Sequence, residues 1–243
     1  MAEAGSNARP LGRPIDQMRP VSIEPDFAPY AEGSALIQMG ETHVLCTATV
    51  EESTAPFLVG SGQGWVTAEY GMLPRSSPVR IPRSRSASSG RTKEIQRLIG
   101  RSLRAAVDLN ALGERSVIID CDVLRADGGT RTASITGGYV ALHMALQRVV
   151  QRGLLAESPI TCMIGAVSAG VVAGEVRLDL EYVEDSTAAV DLNVVMTDAL
   201  AFVELQATAE DGAYTHEQLN EMLRVSQSGI EQLFAMQRAV LGI

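Results

Sequence analysis

Apolar residues recur along this chain with two periods, and the switches between them mark out its elements. Short alternating or continuous apolar runs predict strands at Ser34 to Met39 and His43 to Val50, a hairpin-like arrangement around Gly40 and Glu41. Two more are predicted at Trp65 to Tyr70 and at Val117 to Leu124. Steps of three and four residues take over at Ile95, Leu98, Ile99, Leu103, Ala106 and Val107, predicting a helix that starts at Thr92 or a neighbour. A second helical run extends from Ile135 to Val150, within a strand-helix unit that reaches about Leu155. Ile160 to Ala169 then opens a new set of strands, followed by Val176 to Leu180, Leu192 to Thr197 and Phe202 to Ala207. The last helix is announced by a capping box, Thr215 with Gln218, ahead of the buried stripe Leu219, Met222, Leu223, Ile230, Leu233 and Phe234.

These elements imply an organisation. Residues 1–20, rich in Pro, Gly and Arg, read as a mobile leader that settles near Arg19 and Pro20. Residues 21–243 read as one domain with halves of about 21–157 and 158–243, divided near Ser158-Pro159. Each half is strands followed by a helix or two, the pattern of α/β or α+β layers. Residues 74–90, with three prolines, many serines and four arginines, are expected to form an exposed loop. Gly60, Gly62 and Gly64 precede a strand rather than a helix, which excludes a dinucleotide fingerprint, and no glycine-rich loop ends in Gly-Lys-Ser/Thr.

Composition narrows the class. The 243 residues are 46% hydrophobic, ample for a core, and no run approaches the roughly 18 apolar residues of a membrane span. The N-terminus lacks the apolar stretch of a signal peptide, so a cytoplasmic location is expected. Cys46, Cys121 and Cys162 lie far apart in apolar runs and read as buried free thiols. His43, His143 and His216 are equally isolated, leaving neither a zinc site nor a histidine triad.

Charge is unevenly spread. The chain carries −9 overall, yet residues 75–104 hold Arg75, Arg80, Arg83, Arg85, Arg91, Lys93, Arg97, Arg101 and Arg104 against the single acid Glu94. Such a segment can bind a polyanion locally, or it can be a solvated basic loop and helix face.

Two stretches carry candidate chemistry. Asp127, Gly128, Gly129, Thr130, Arg131 and Thr132 stand between a predicted strand and a predicted helix. Backbone N–H groups without intrahelical partners, the helix dipole and the donors of Thr130 and Arg131 would together suit a phosphate or sulfate; a glycine turn with a helix cap uses the same residues. In the second stretch, Asp185 and Asp191 bracket a short turn before the strand Leu192 to Met196. Two carboxylates so placed could hold Mg²⁺ or Mn²⁺, with water and substrate phosphate completing the shell, or could be a solvated acidic turn. Asp179 is a further candidate that could equally point to solvent. Phe57 and Tyr70 could stack on bases, although both read as core residues.

Taken in order, these blocks resemble the ribonuclease PH family of phosphorolytic 3′ to 5′ exoribonucleases. The likeness runs through Arg19-Pro20, Ala31 to Ser34, Gly64 to Arg75, Gly90 to Arg101, Asp120-Cys121-Asp122, Asp127 to Gly137, Glu184-Asp185-Ser186 and Asp191 to Met196. It implies an α+β fold of two βαβα-like halves, like the second domain of ribosomal protein S5, assembled into a homohexameric ring, a trimer of dimers. Carried over to this chain, it implies that Arg91, Gly129, Thr130 and Arg131 bind inorganic phosphate as co-substrate. Asp185 and Asp191 would serve catalysis with a divalent metal, Mg²⁺ or Mn²⁺, and Arg75, Arg80 and Arg83 would hold RNA. Between Arg83 and Gly90 the sequence departs from the family, with Ser84-Arg85-Ser86-Ala87-Ser88-Ser89 in place of a slightly longer segment containing acids and lysine.

The implied reaction trims the 3′ end of precursor tRNA, and of ribosomal RNA, releasing nucleoside 5′-diphosphates and running backwards to add nucleotides. RNA ends would be read by backbone contacts and stacking. Two other readings use the same residues: a metal-dependent hydrolytic nuclease, and a silent ring subunit that only binds RNA.

Overall fold

The computed structural model describes Arg9 and residues 12–84, 89–210 and 212–243. Alternating apolar residues build a first sheet from β1 (Val21–Pro25), β2 (Gly33–Met39), β3 (Thr42–Glu51), β4 (Trp65–Met72) and β5 (Ser116–Arg125), in the order β1-β2-β3-β5-β4. All neighbours are antiparallel except β4 and β5, which are parallel and joined by a crossover through α1 (Gly90–Arg104) and the short α2 (Leu109–Leu112). Next come α3 (Thr130–Gln151) and a second, antiparallel sheet. Its strands β6 (Ile164–Val172), β7 (Glu175–Leu178), β8 (Val190–Thr197) and β9 (Phe202–Ala209) lie in the order β7-β6-β8-β9. A short α4 (Tyr182–Asp185) interrupts it, and α5 (His216–Leu241) closes the chain.

The layers follow from which faces are apolar. Fifteen of the 22 residues of α3 are buried, so this helix is central: it packs on β2 and β3 with one side and on β6 with another. One hydrophobic cluster therefore runs through both halves, from Ile37, Val44 and Ile119 through Ile135 and Leu142 to Ile164 and Val194. Close packing of β2 on α3 requires Gly33, where a Cβ would overlap the Ala141 carbonyl oxygen and stand 2.7 Å from the Ala145 nitrogen. Since both obstacles are backbone, Gly33→Ala is expected to cost roughly 1–3 kcal/mol. Chemical denaturation reads it, and a midpoint equal to wild type would show that the helix can shift freely.

Several boundaries differ from the pattern-based expectations. The strand β1, absent from the sequence reading, exists because Val21 to Pro25 pairs antiparallel with Ala35 to Met39 at the sheet edge. The strand expected from Ile160 begins at Ile164; Ile160 follows Pro159 and makes only an isolated bridge to Val107. The run expected to reach Leu180 ends at Leu178, because Asp179 adopts φ +52°. The helix expected to start at Thr92 or a neighbour starts two residues earlier, at Gly90, capped by Ser89, whose Oγ accepts from the Thr92 N–H at 3.1 Å. Cys46 and Cys121 are buried free thiols directly opposite one another on β3 and β5, whereas Cys162 is only half-buried.

The leader also settles earlier than expected: Arg9 is 4% exposed and bonded to Glu184, and residues 12–20 run against the second half, with the Leu178 N–H donating to Ile15 O at 2.8 Å. Residues 1–8, 10 and 11 lie outside the described residues. Among the described residues no helix is long and apolar enough to cross a membrane.

Candidate active site

The Gly-Gly turn is fixed from three sides. As β5 ends, the Ala126 N–H donates to Ser76 O at 2.8 Å and the Asp127 N–H to Thr42 Oγ1 at 2.9 Å, while that hydroxyl donates to Gly128 O at 2.6 Å. Gly128 and Gly129 both take left-handed conformations, φ +74° and +66°, which side chains rarely adopt. A Cβ on Gly128 would also stand 2.5 Å from Leu180 O. The turn opens α3 with Gly129 as its cap, and that cap has no side-chain acceptor and no acid in the first helical turn. The anion-friendly end of the helix is thus left to an outside ligand.

Side chains line this end. The Thr130 hydroxyl lies 2.9 Å from the Tyr70 hydroxyl. Arg131 donates through Nη1 to Gln206 Oε1 at 3.0 Å and lies 3.6 Å from Glu94, which also accepts from Gln206 Nε2 at 3.0 Å. Residues of α1 and β9 therefore hold one corner of the guanidinium, and its Nε and Nη2 have no protein partner among the described residues. Arg91 sits in the first turn of α1 and is exposed.

Opposite stand the carboxylates of the second half. Asp185 ends α4, and Asp191 lies at the start of β8, accepting from Asn193 Nδ2 at 3.2 and 3.4 Å. Burial pushes both carboxyls above the ordinary aspartate value. At Asp185 the charges of Arg91, Arg131 and Arg19 pull the other way; at Asp191 the charge of Asp185 adds to the rise, against Arg131 and Asn193. The two turns adjoin, the Tyr182 N–H donating to Asp127 Oδ1 at 3.3 Å, so that Arg91 and Arg131 act on Asp185, and Arg131 and Asp185 act on Asp191.

Of the residues singled out in the sequence, Arg91, Gly129, Thr130, Arg131, Asp185 and Asp191 meet here. Arg75 and Arg80 are exposed on the loop after β4, whose base shares the Ser76–Ala126 bond with the turn, and Arg83, also exposed, is helical together with Ser84, against the loop expected over 74–90. Residues 85–88, within the segment that departs from the family, lie outside the described residues. Tyr70 is buried with its hydroxyl on Thr130, but Phe57 is 70% exposed, against the core reading, with its ring edge-on to Trp65.

The family models for the 3′ exoribonuclease family match this chain twice, domain 1 over residues 17–146 and domain 2 over residues 162–229. The chain belongs to the 3′ exoribonuclease family. Proteins named Ribonuclease PH from two strains of Cereibacter sphaeroides are each 54% identical over 236 residues, covering 96% of this chain and 100% of theirs. The fold is also that of rice (Oryza sativa) Rrp46, with TM-score 0.77 and 19% identity over 96% of this chain and 99% of that one. An Archaeoglobus fulgidus exosome subunit is similar too, with TM-score 0.82 and 24% identity over 94% of this chain and 92% of that one.

Sequence reasoning missed what holds this family site in shape. Asp179, expected to face either way, is fully buried and accepts from Arg19 three times: the backbone N–H at 2.8 Å, Nε at 2.9 Å and Nη2 at 2.7 Å. The other donors of Arg19 reach Asp127 O at 2.5 Å and Gly128 O at 3.5 Å. Burial alone would raise the Asp179 carboxyl, but the charge and hydrogen bonds of Arg19, with Arg13, outweigh it and hold the group below its usual value. The only sequence signals were the Arg19-Pro20 pair and an acid in an apolar run.

Proposed function

We propose that this chain is a phosphate-dependent 3′ to 5′ exoribonuclease that trims the 3′ ends of precursor tRNA and ribosomal RNA and can add nucleotides in reverse. The observation that carries the reading is the meeting of the two turns, Tyr182 N–H on Asp127 Oδ1 at 3.3 Å, which sets a helix N-terminus without a capping side chain, and two arginines, beside the half-buried Asp185 and Asp191. Nearly whole-length identity to proteins named Ribonuclease PH supports it.

Phosphorolysis brings a phosphate dianion against a phosphodiester, so positive charge is the first requirement. Arg91, the open edge of Arg131, the Thr130 hydroxyl and the first N–H groups of α3 bind and orient the nucleophile; Glu94 and Gln206 keep the Arg131 fork aimed. The phosphate oxygen bonds to the scissile phosphorus and the bond to the 3′ oxygen of the preceding nucleotide breaks, releasing a nucleoside 5′-diphosphate. This is catalysis by positioning and electrostatics, without a protein nucleophile.

Asp185 and Asp191 fit a divalent cation such as Mg²⁺ or Mn²⁺. Both form no ion pair among the described residues, burial raises both, and a bound cation would stabilise their charged forms. Among the described residues no cluster of three or more acidic, His or Cys ligands exists, so water and substrate phosphates would complete the shell. When bound, the ion supplies charge neutralisation at the scissile phosphate or departing oxygen. Arg75, Arg80 and Arg83 contact the RNA backbone. The working form is a hexameric ring, a trimer of dimers, in the cytoplasm.

The test incubates the protein with precursor tRNA bearing a 3′ trailer, with and without inorganic phosphate. Diphosphates released only with phosphate are expected. Monophosphates formed without it would mean hydrolysis, and no release in either case would mean a subunit that merely binds RNA.

A further inference from the structure

Three arginines before β1 spend their donors under the site. Arg9 holds Glu184 with a fork, Nε to Oε1 at 2.8 Å and Nη2 to Oε2 at 2.9 Å, and reaches Leu178 O at 2.7 Å and Asp179 O at 3.1 Å. Arg13 donates through Nη2 to Asp179 O at 3.0 Å and Glu184 Oε2 at 3.3 Å. Arg19 joins the Asp179 carboxylate of the second half to the Asp127 and Gly128 carbonyls of the first. The direct bond between the two active-site turns is weaker, the Tyr182 N–H to Asp127 Oδ1 at 3.3 Å.

We propose that Arg9 and residues 12–19 act as a strap that sets the spacing between the phosphate turn and the Asp185 turn, with Arg9 and Arg19 as positioning residues. The carrier of Asp185 needs such support. A four-residue helix has no stability of its own, and Glu184 is the single buried residue of α4. Its carboxylate receives Arg9, Arg13 and, at 3.1 Å, Arg177, while Oε2 also accepts from the Glu181 N–H at 3.3 Å. The residue after this anchor is Asp185. On the other side, Arg19 Nη2 lies 3.1 Å from the place a Cβ on Gly129 would take, directly against the turn that opens α3. The strap touches neither reactant and acts through the groups it holds.

The proposal rests on the phosphorolytic reading for its kinetic readout only. Arg9→Lys keeps the charge but cannot form the two-point fork. It is expected to lower kcat by about 10- to 10²-fold, as ångström-scale displacement of a reacting group does. Phosphate KM should stay at the wild-type value, because the phosphate turn is untouched, and hydrogen exchange over residues 181–191 should rise. Arg19→Lys should raise exchange in that segment and over residues 127–132 together. If Arg9→Ala fails to fold, Arg9→Lys and Glu184→Gln carry the test.

A folded Arg9→Lys with wild-type kcat overturns the proposal, whatever its melting temperature. Should wild type show no phosphate-dependent release, the functional reading falls by itself and exchange decides the strap: unchanged protection in both segments overturns it.

Discussion

Arg131→Ala is expected to lower kcat for phosphorolysis on the order of 10² to 10³-fold, the loss typical for removing one preorganised donor from a site where charge builds up. The fold should survive. The contacts that Arg131 makes, to Gln206 and Glu94, lie at the edge of the site, and the Gln206–Glu94 bond at 3.0 Å remains when it is gone. Ion pairs of this kind contribute about 0–1 kcal/mol. Melting temperature and circular dichroism should therefore match wild type, while diphosphate release at saturating RNA collapses and loses its dependence on added phosphate. Wild-type turnover in this variant would remove Arg131 from the phosphate site.

The largest stability effect belongs to a residue that never meets the substrate. Asp179→Ala strands Arg19, 6% exposed, without the carboxylate that takes two hydrogen bonds from its guanidinium and one from its backbone N–H. Breaking a buried pair from one side costs about 3–5 kcal/mol, which in a chain of this size lowers Tm on the order of 10 °C. Because the Asp179 carboxyl is held below its ordinary value, its contribution is fully present above about pH 4 and is lost as pH falls below that, when the folded form too takes up the proton. Wild type should thus lose stability in acid more steeply than Asp179→Ala, and thermal melts across that range compare the two. Equal Tm at neutral pH would mean that water replaces the carboxylate beside Arg19.

What could be read from the chain, and what could not, divides by range. The strands β2 to β5, the helices α1 and α3, and the Thr215–Gln218 cap of α5 follow from spacing within a few residues, since backbone period and side-chain direction are coupled locally. The Gly128-Gly129 turn was equally plain, because two adjacent left-handed residues need glycine. Edge strand β1 was not: its alternation, Val21-Ser22-Ile23-Glu24, is only four residues long between Pro20 and Pro25, and it takes its conformation from pairing with β2. The early stop of β7 was hidden for a similar reason. A positive φ at Asp179, a residue other than glycine, is sustained by Arg19, 160 positions away in the chain.

The sequence by itself determined the family, the alternation of strands and helices, and the residue types of the site, since period, turn chemistry and charge are properties of neighbouring residues. The tertiary structure alone decided which charges share a site. It set Arg131 on Gln206, Arg9 on Glu184 and Arg19 on Asp179, and it brought Asp185 within the fields of Arg91 and Arg131 and Asp191 within that of Arg131. An arginine's side chain states what kind of partner it takes and nothing about where along the chain that partner lies. Only the packing of α3 between the two sheets brings those positions together.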